Sequence, residues 1–122
     1  TPYCYIAVNT RNGIETWTKD TVPTTSVMSY DFTTASTQAY DDGVNLPMID
    51  VEFGGGVWAF YSGDVNQDGT ADGSDEADVY NESLNFNFMY MIYDVNGDGA
   101  ADGSDQALIF NNGLLFLFEA HP

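Results

Sequence analysis

DVNQDGTADGSDEADVYNESLNFNF, residues 64–88, and DVNGDGAADGSDQALIFNNGLLFLF, residues 94–118, are one stretch written twice. Aligned at an offset of thirty, they agree at fifteen of twenty-five positions, which marks an internal duplication. Each copy opens with a run rich in Asp, Asn and Gly and continues into a segment able to form a short helix. Apolar side chains there recur at i, i+3 and i+7: Ala77, Tyr80 and Leu84 in the first copy, Ala107, Phe110 and Leu114 in the second. That spacing predicts that these two apolar faces pack on each other.

The opening runs have the ligand spacing of a calcium loop. Calcium takes about six to eight oxygen ligands, and a twelve-residue loop supplies them from positions 1, 3, 5, 7 and 12, with position 9 often acting through water. In the first loop these positions are Asp64, Asn66, Asp68, the backbone carbonyl of Thr70, Asp72 at position 9, and Asp75. In the second they are Asp94, Asn96, Asp98, the carbonyl of Ala100, Asp102 and Asp105. Position 6 is Gly69 and Gly99, the residue type that tolerates the sharp turn such a loop needs. Asp, Asn and Gly favour turns with or without a metal. Two complete copies in register favour the metal, and calcium over magnesium, which prefers a rigid octahedron with retained waters. The expectation is two calcium ions, which would bring the formal charge from −17 to −13. Without them, the carboxylates converging in each loop repel one another, and the second half of the chain is expected to be loose.

Outward from the repeat, the grammar changes. Up to about Ser62 the chain is rich in Thr, Tyr and β-branched residues, with short apolar runs between Gly, Pro, Asn and Asp punctuation. That pattern predicts strands at Tyr3–Val8, Ile14–Thr18, Val27–Phe32, Met48–Phe53 and Val57–Tyr61, with turns at Asn12-Gly13, Asp42-Gly43 and Gly54-Gly55-Gly56. The expected class is therefore α+β in two parts: a sandwich-like, incomplete immunoglobulin-like segment over residues 1–62, and a two-calcium repeat module over residues 63–122.

Charge and cysteine content exclude several functions. Nineteen acidic residues face only Arg11 and Lys19, so nucleic acid is excluded as a partner on the cations it requires. An anionic membrane surface is disfavoured for the same reason, and no apolar run approaches the roughly 18 residues needed to span a bilayer. A single cysteine, Cys4, permits no intrachain disulfide and reads as a small buried hydrophobe. No charged-then-apolar leader opens the sequence, so the chain reads as already processed or as beginning inside a larger protein.

The paired loops, with Asp at position 12 and a helix directly after, resemble type I dockerin modules, from Gly63 to about Phe118. The junction YSGDVNQDG, preceded by RNGIETWT and SYDFTTA, is similar to the C-terminal region of large secreted bacterial surface proteins, in which a β-sandwich runs into a dockerin-like repeat. The resemblance implies an extracellular location and the metal ligands already given. It does not carry over the partner surface. Gly73-Ser74 and Gly103-Ser104 replace the Ser/Thr pair of cohesin-binding dockerins, no Lys or Arg follows residue 19, and Ala71 and Ala101 replace the β-branched residue that bridges the two loops.

Three functions follow as expectations. The first is a non-enzymatic, calcium-stabilised structural protein that self-associates into a homo-oligomer, filament or layer, by donating a strand to an open sheet edge. The second is a docking module that anchors a secreted enzyme to a cohesin-like partner. The third is a carbohydrate-binding or hydrolytic domain using Trp17, Trp58 and Tyr61 as sugar platforms. Outside the loops, Asp50 and Glu52 alternate on one expected strand face but read as a solvated face, and His121 reads as a frayed end. Asn81-Glu82-Ser83 and Asp20-Thr21-Val22 fit glycan acceptor signals.

Overall fold

A computed structural model describes residues 2–25, 27–44, 47–86 and 91–122 of the chain. The end of the first repeat copy, Asn87 and Phe88, lies outside the described residues. The architecture is mixed α+β, with short two-residue strands in the first half and two helices in the second. The chain divides into two compact units between Tyr61 and Ser62, with two exchanges relative to the linear boundary expected after Ser62. Thr10–Ile14 belongs to the second unit and Glu119–Pro122 to the first.

Among the described residues, the first unit carries three two-stranded antiparallel sheets. Strand β1 (Tyr3–Cys4) pairs with β4 (Val22–Pro23) in the register Tyr3↔Pro23 and Cys4↔Val22. Strand β2 (Ala7–Val8) pairs with β3 (Thr16–Trp17), and β5 (Ile49–Asp50) with β6 (Trp58–Ala59). Thr18 is fully buried and holds Ile6 at both ends, its N–H donating to the Ile6 carbonyl at 2.9 Å and its Oγ1 accepting from the Ile6 N–H at 3.2 Å. Single bridges tie Thr18 to Ala39 and Thr16 to Ala120, so the C-terminal residues complete this unit.

Three strand expectations need correction. Tyr3–Val8 is two short strands with different partners, because the chain leaves β1 before it meets β3. No strand covers Val27–Phe32; Tyr30 and Phe32 instead pack ring against ring at 4.8 Å, and Phe32 packs on Phe60 at 5.0 Å. Their strand propensity reflects a fit to a packed surface, which aromatic neighbours satisfy without a ladder. Strand β5 ends at Asp50, whose carboxylate accepts the N–H of Glu52 and of Gly54, each at 2.9 Å, and turns the chain. Asp50 and Glu52 therefore do not share a strand face. Strand β4, in the Thr-rich loop, was not expected from the pattern.

In the second unit, α1 (Gly73–Ser83) and α2 (Gly103–Gly113) pack on each other. They do so by a different face from the one predicted. Tyr80, Leu84, Phe110 and Leu114 are about half exposed or more, whereas Val79 and Ile109 are fully buried. The core is Val65, Val79, Val95 and Ile109, with Ile92, Tyr93 and Leu108 against it. These four are two equivalent pairs thirty residues apart, so each repeat copy contributes the second residue of its loop and one residue of its helix. Gln106 donates to Glu76 at 3.1 Å across the helix pair, again joining equivalent positions.

Candidate metal centres

Each loop is shaped by its own carboxylates. In the first, Asp64 accepts from the N–H groups of Asp68 and Gly69, each at 3.0 Å, which folds the chain back over the first ligand position. Asp75, from the first turn of α1, accepts from Val65 at 2.8 Å, Asn66 at 3.2 Å and Asp72 at 2.9 Å. The second loop repeats this pattern. Asp94 accepts from Gly97 at 2.9 Å, Asp98 at 3.0 Å and Gly99 at 2.9 Å, and Asp105 from Val95 at 2.7 Å, Asn96 at 3.0 Å and Asp102 at 2.9 Å. Gly69 and Gly99 sit at φ +92° and +94°, as the sharp turn at position 6 requires.

The result is two acidic triads. One carboxylate oxygen each from Asp64, Asp68 and Asp75 lies within 4.8 Å of the other two, and the same holds for Asp94, Asp98 and Asp105. Each triad could hold a metal ion. The span is compatible with calcium, since opposite ligands at about 2.3–2.6 Å from one ion are roughly 5 Å apart. In each triad the first and twelfth positions are buried and the fifth is exposed. Burial pushes the Asp64 and Asp75 carboxyls above the ordinary carboxylate value, and the neighbouring Asp68 charge adds to the rise. A divalent cation relieves both causes by replacing lost hydration and offsetting the negative charge.

The remaining expected ligands fall around these triads. Asn66 and Asn96 turn their amide oxygens to the N–H groups of Asp68 and Asp98, each at 2.9 Å, while their amide nitrogens donate to Ser74 and Ser104. Thr70 and Ala100 occupy position 7, their N–H groups held by Asp68 and Asp98. Asp72 and Asp102 stand apart from the triads as the helix N-caps. Each accepts from a serine N–H at 2.8 Å and hydroxyl at 2.7 Å, which holds its carboxyl below the ordinary value. Asp75 and Asp105 close the capping boxes, so the twelfth-position carboxylate both faces the loop and starts the helix.

A segment from early in the sequence completes the unit. The Gln67 amide donates to the carbonyls of Arg11 at 3.1 Å, Thr10 at 3.4 Å and Asp64 at 2.8 Å. Arg11 and Asn12 donate to the carbonyl of Asp94 at 3.2 and 3.1 Å, and Asn12 also to that of Ile92 at 3.3 Å. The Asn12 carbonyl accepts from Gly63 at 2.7 Å. The sequence pattern marks Asn12-Gly13 only as a turn, because the partners of Asn12 lie up to eighty-two residues away. Position 8 also differs from the resemblance. Ala71 and Ala101 are buried, and the strand-like contact of the first loop runs from Thr70 to Phe118.

In the first unit, Trp17 is half-buried, donates to Glu15 at 2.7 Å and packs beside Tyr5 and His121. Trp58 lines a shallow groove of about 230 Å³ with Phe32, Thr33, Ala59 and Phe60, and Tyr61 is buried. Cys4 is half-buried on β1. Among the described residues, no helix is long and apolar enough to cross a membrane. Comparison with protein-family models, with curated proteins and with solved structures returns no match.

Proposed function

We propose that this chain is a non-enzymatic, calcium-stabilised building block of an extracellular assembly, with a dockerin-like two-calcium module after a sandwich-like segment. The observation that carries the reading is the duplication of the acidic triad in identical register, with the first and twelfth carboxylates buried in both copies. Three carboxylates gathered within 4.8 Å cost folding free energy unless a cation joins them, and the same device appears twice. Calcium bound there would cross-link the opening of each loop to the first turn of its helix, doing the work that disulfides do elsewhere. Asp64, Asn66, Asp68, Asp75 and the Thr70 carbonyl would hold one ion, and Asp94, Asn96, Asp98, Asp105 and the Ala100 carbonyl the other, with Asp72 and Asp102 acting through water.

Self-association is the assembly part of the proposal. Two-stranded sheets leave backbone groups at their outer edges, and strand addition from another copy is one way to cover them. Mass measurement at rising concentration with calcium present tests this. Growth to multimers supports it, and a single monomer mass throughout contradicts it. A docking function is the second reading, favoured by the exposed large apolar side chains Tyr80, Leu84, Phe86, Phe110, Leu114 and Phe116. Tight one-to-one capture by a cohesin-like protein would establish that reading over the first.

A further inference from the structure

We infer that Thr10–Ile14 is a strap coupling the two metal loops, so that an ion in one loop raises the affinity of the other; this rests on the calcium reading above. The strap touches both loops at positions that matter for folding them. Its Asn12 carbonyl accepts from Gly63, and Gly13 bridges Ser62, which fixes the chain directly before Asp64. Gln67, inside the first loop, donates to the strap carbonyls of Thr10 and Arg11. From the same five residues, Arg11 and Asn12 hold the carbonyl of Asp94, the first residue of the second loop. Ordering either loop therefore orders the strap, and an ordered strap presents one loop's opening residue already in place to the next ion.

The repeat itself points to position 4 as the tie. Gly97 occupies it in the second loop at φ +79°, whereas the first loop places Gln67 there at φ +62°, a region that glycine and asparagine tolerate and that is costly for glutamine. The strain is offset by what the longer side chain reaches: a glycine would make the same turn but could not bond the strap.

The experiment is calorimetric titration of the full chain, stripped with a chelator, with calcium chloride, alongside Gln67→Gly and Asn12→Ala. Coupling between sites is typically about 5–150-fold in affinity, so the second ion should bind the native chain roughly tenfold more tightly than an independent site would. Both variants should still take two ions, but as independent sites. Helicity in saturating calcium shows whether each variant folds. If Asn12→Ala does not, Gln67→Asn, which tolerates positive φ but is too short to span to the strap, takes its place. Two ions bound independently by the native chain, or coupling unchanged in the variants, overturns the strap and leaves the calcium reading standing. No calcium bound at all overturns both.

Discussion

Ile109→Ala and Phe110→Ala, neighbours on α2, should differ several-fold in cost. Ile109 is fully buried among Val65, Val79 and Val95, and its Cγ1 lies 3.3 Å from where a Cβ on Gly63 would stand. Truncation removes three buried carbons, roughly 2.4 kcal/mol of transfer free energy at about 0.8 kcal/mol each, before any cavity is counted. With the cavity, the loss should reach about 3–4 kcal/mol, within the range of about 2–5 for such changes. Phe110 is 53% exposed, and alanine is the better helix former, so its truncation should cost under about 1 kcal/mol. Urea unfolding in excess calcium, followed by helical circular dichroism, measures both. For m near 1 kcal/mol/M, Ile109→Ala should lower the midpoint by about 3 M and Phe110→Ala by less than about 1 M. Equal losses, or a larger loss at Phe110, would refute the helix orientation and restore the face predicted from i, i+3, i+7 spacing.

Gly99→Ala should destabilise the calcium-bound chain by about 1–2 kcal/mol, read in the same urea assay, because Gly99 sits at φ +94° with open space beside it, so that the penalty is conformational. Asp102→Ala removes the N-cap of α2 and one arm of its capping box, and thermal unfolding should show a loss of about 1 kcal/mol. The pH response should reverse with metal. Burial raises Asp64 and Asp75 above 3.8, so the folded metal-free chain holds protons the unfolded chain releases, and its stability should fall as pH rises from about 3.8 through those raised values. Calcium needs the same carboxylates ionised, so over the same window its affinity should climb with pH, as titrations at several pH values would show.

The two acidic triads were legible in the sequence because their chemistry is local: carboxylates at fixed offsets and a glycine where φ must be positive. The helices following them were legible too, but not which side faces inward. The buried stripe runs Asp75, Val79 in α1 and Asp105, Ile109, Asn112 in α2, so each begins with a carboxylate that apolar counting skips. Tyr80 and Phe110 have the apolar surface but lie one position round the helix from the core. The strands were legible as a class and not in extent, because partner choice is long-range: Cys4 pairs with Val22, and Thr16 bridges Ala120. The strap at Thr10–Ile14 was hidden for the same reason, its hydrogen bonds crossing most of the chain.

Bound metal counted per chain tests the central claim most directly. After equilibrium dialysis against micromolar calcium, elemental analysis should find two calcium ions in the native chain, one in either Asp75→Asn or Asp105→Asn, and a loss of helical signal when EGTA removes them. A chain that retains no calcium, or that keeps its helices and its melting temperature unchanged in excess EGTA, would contradict the account.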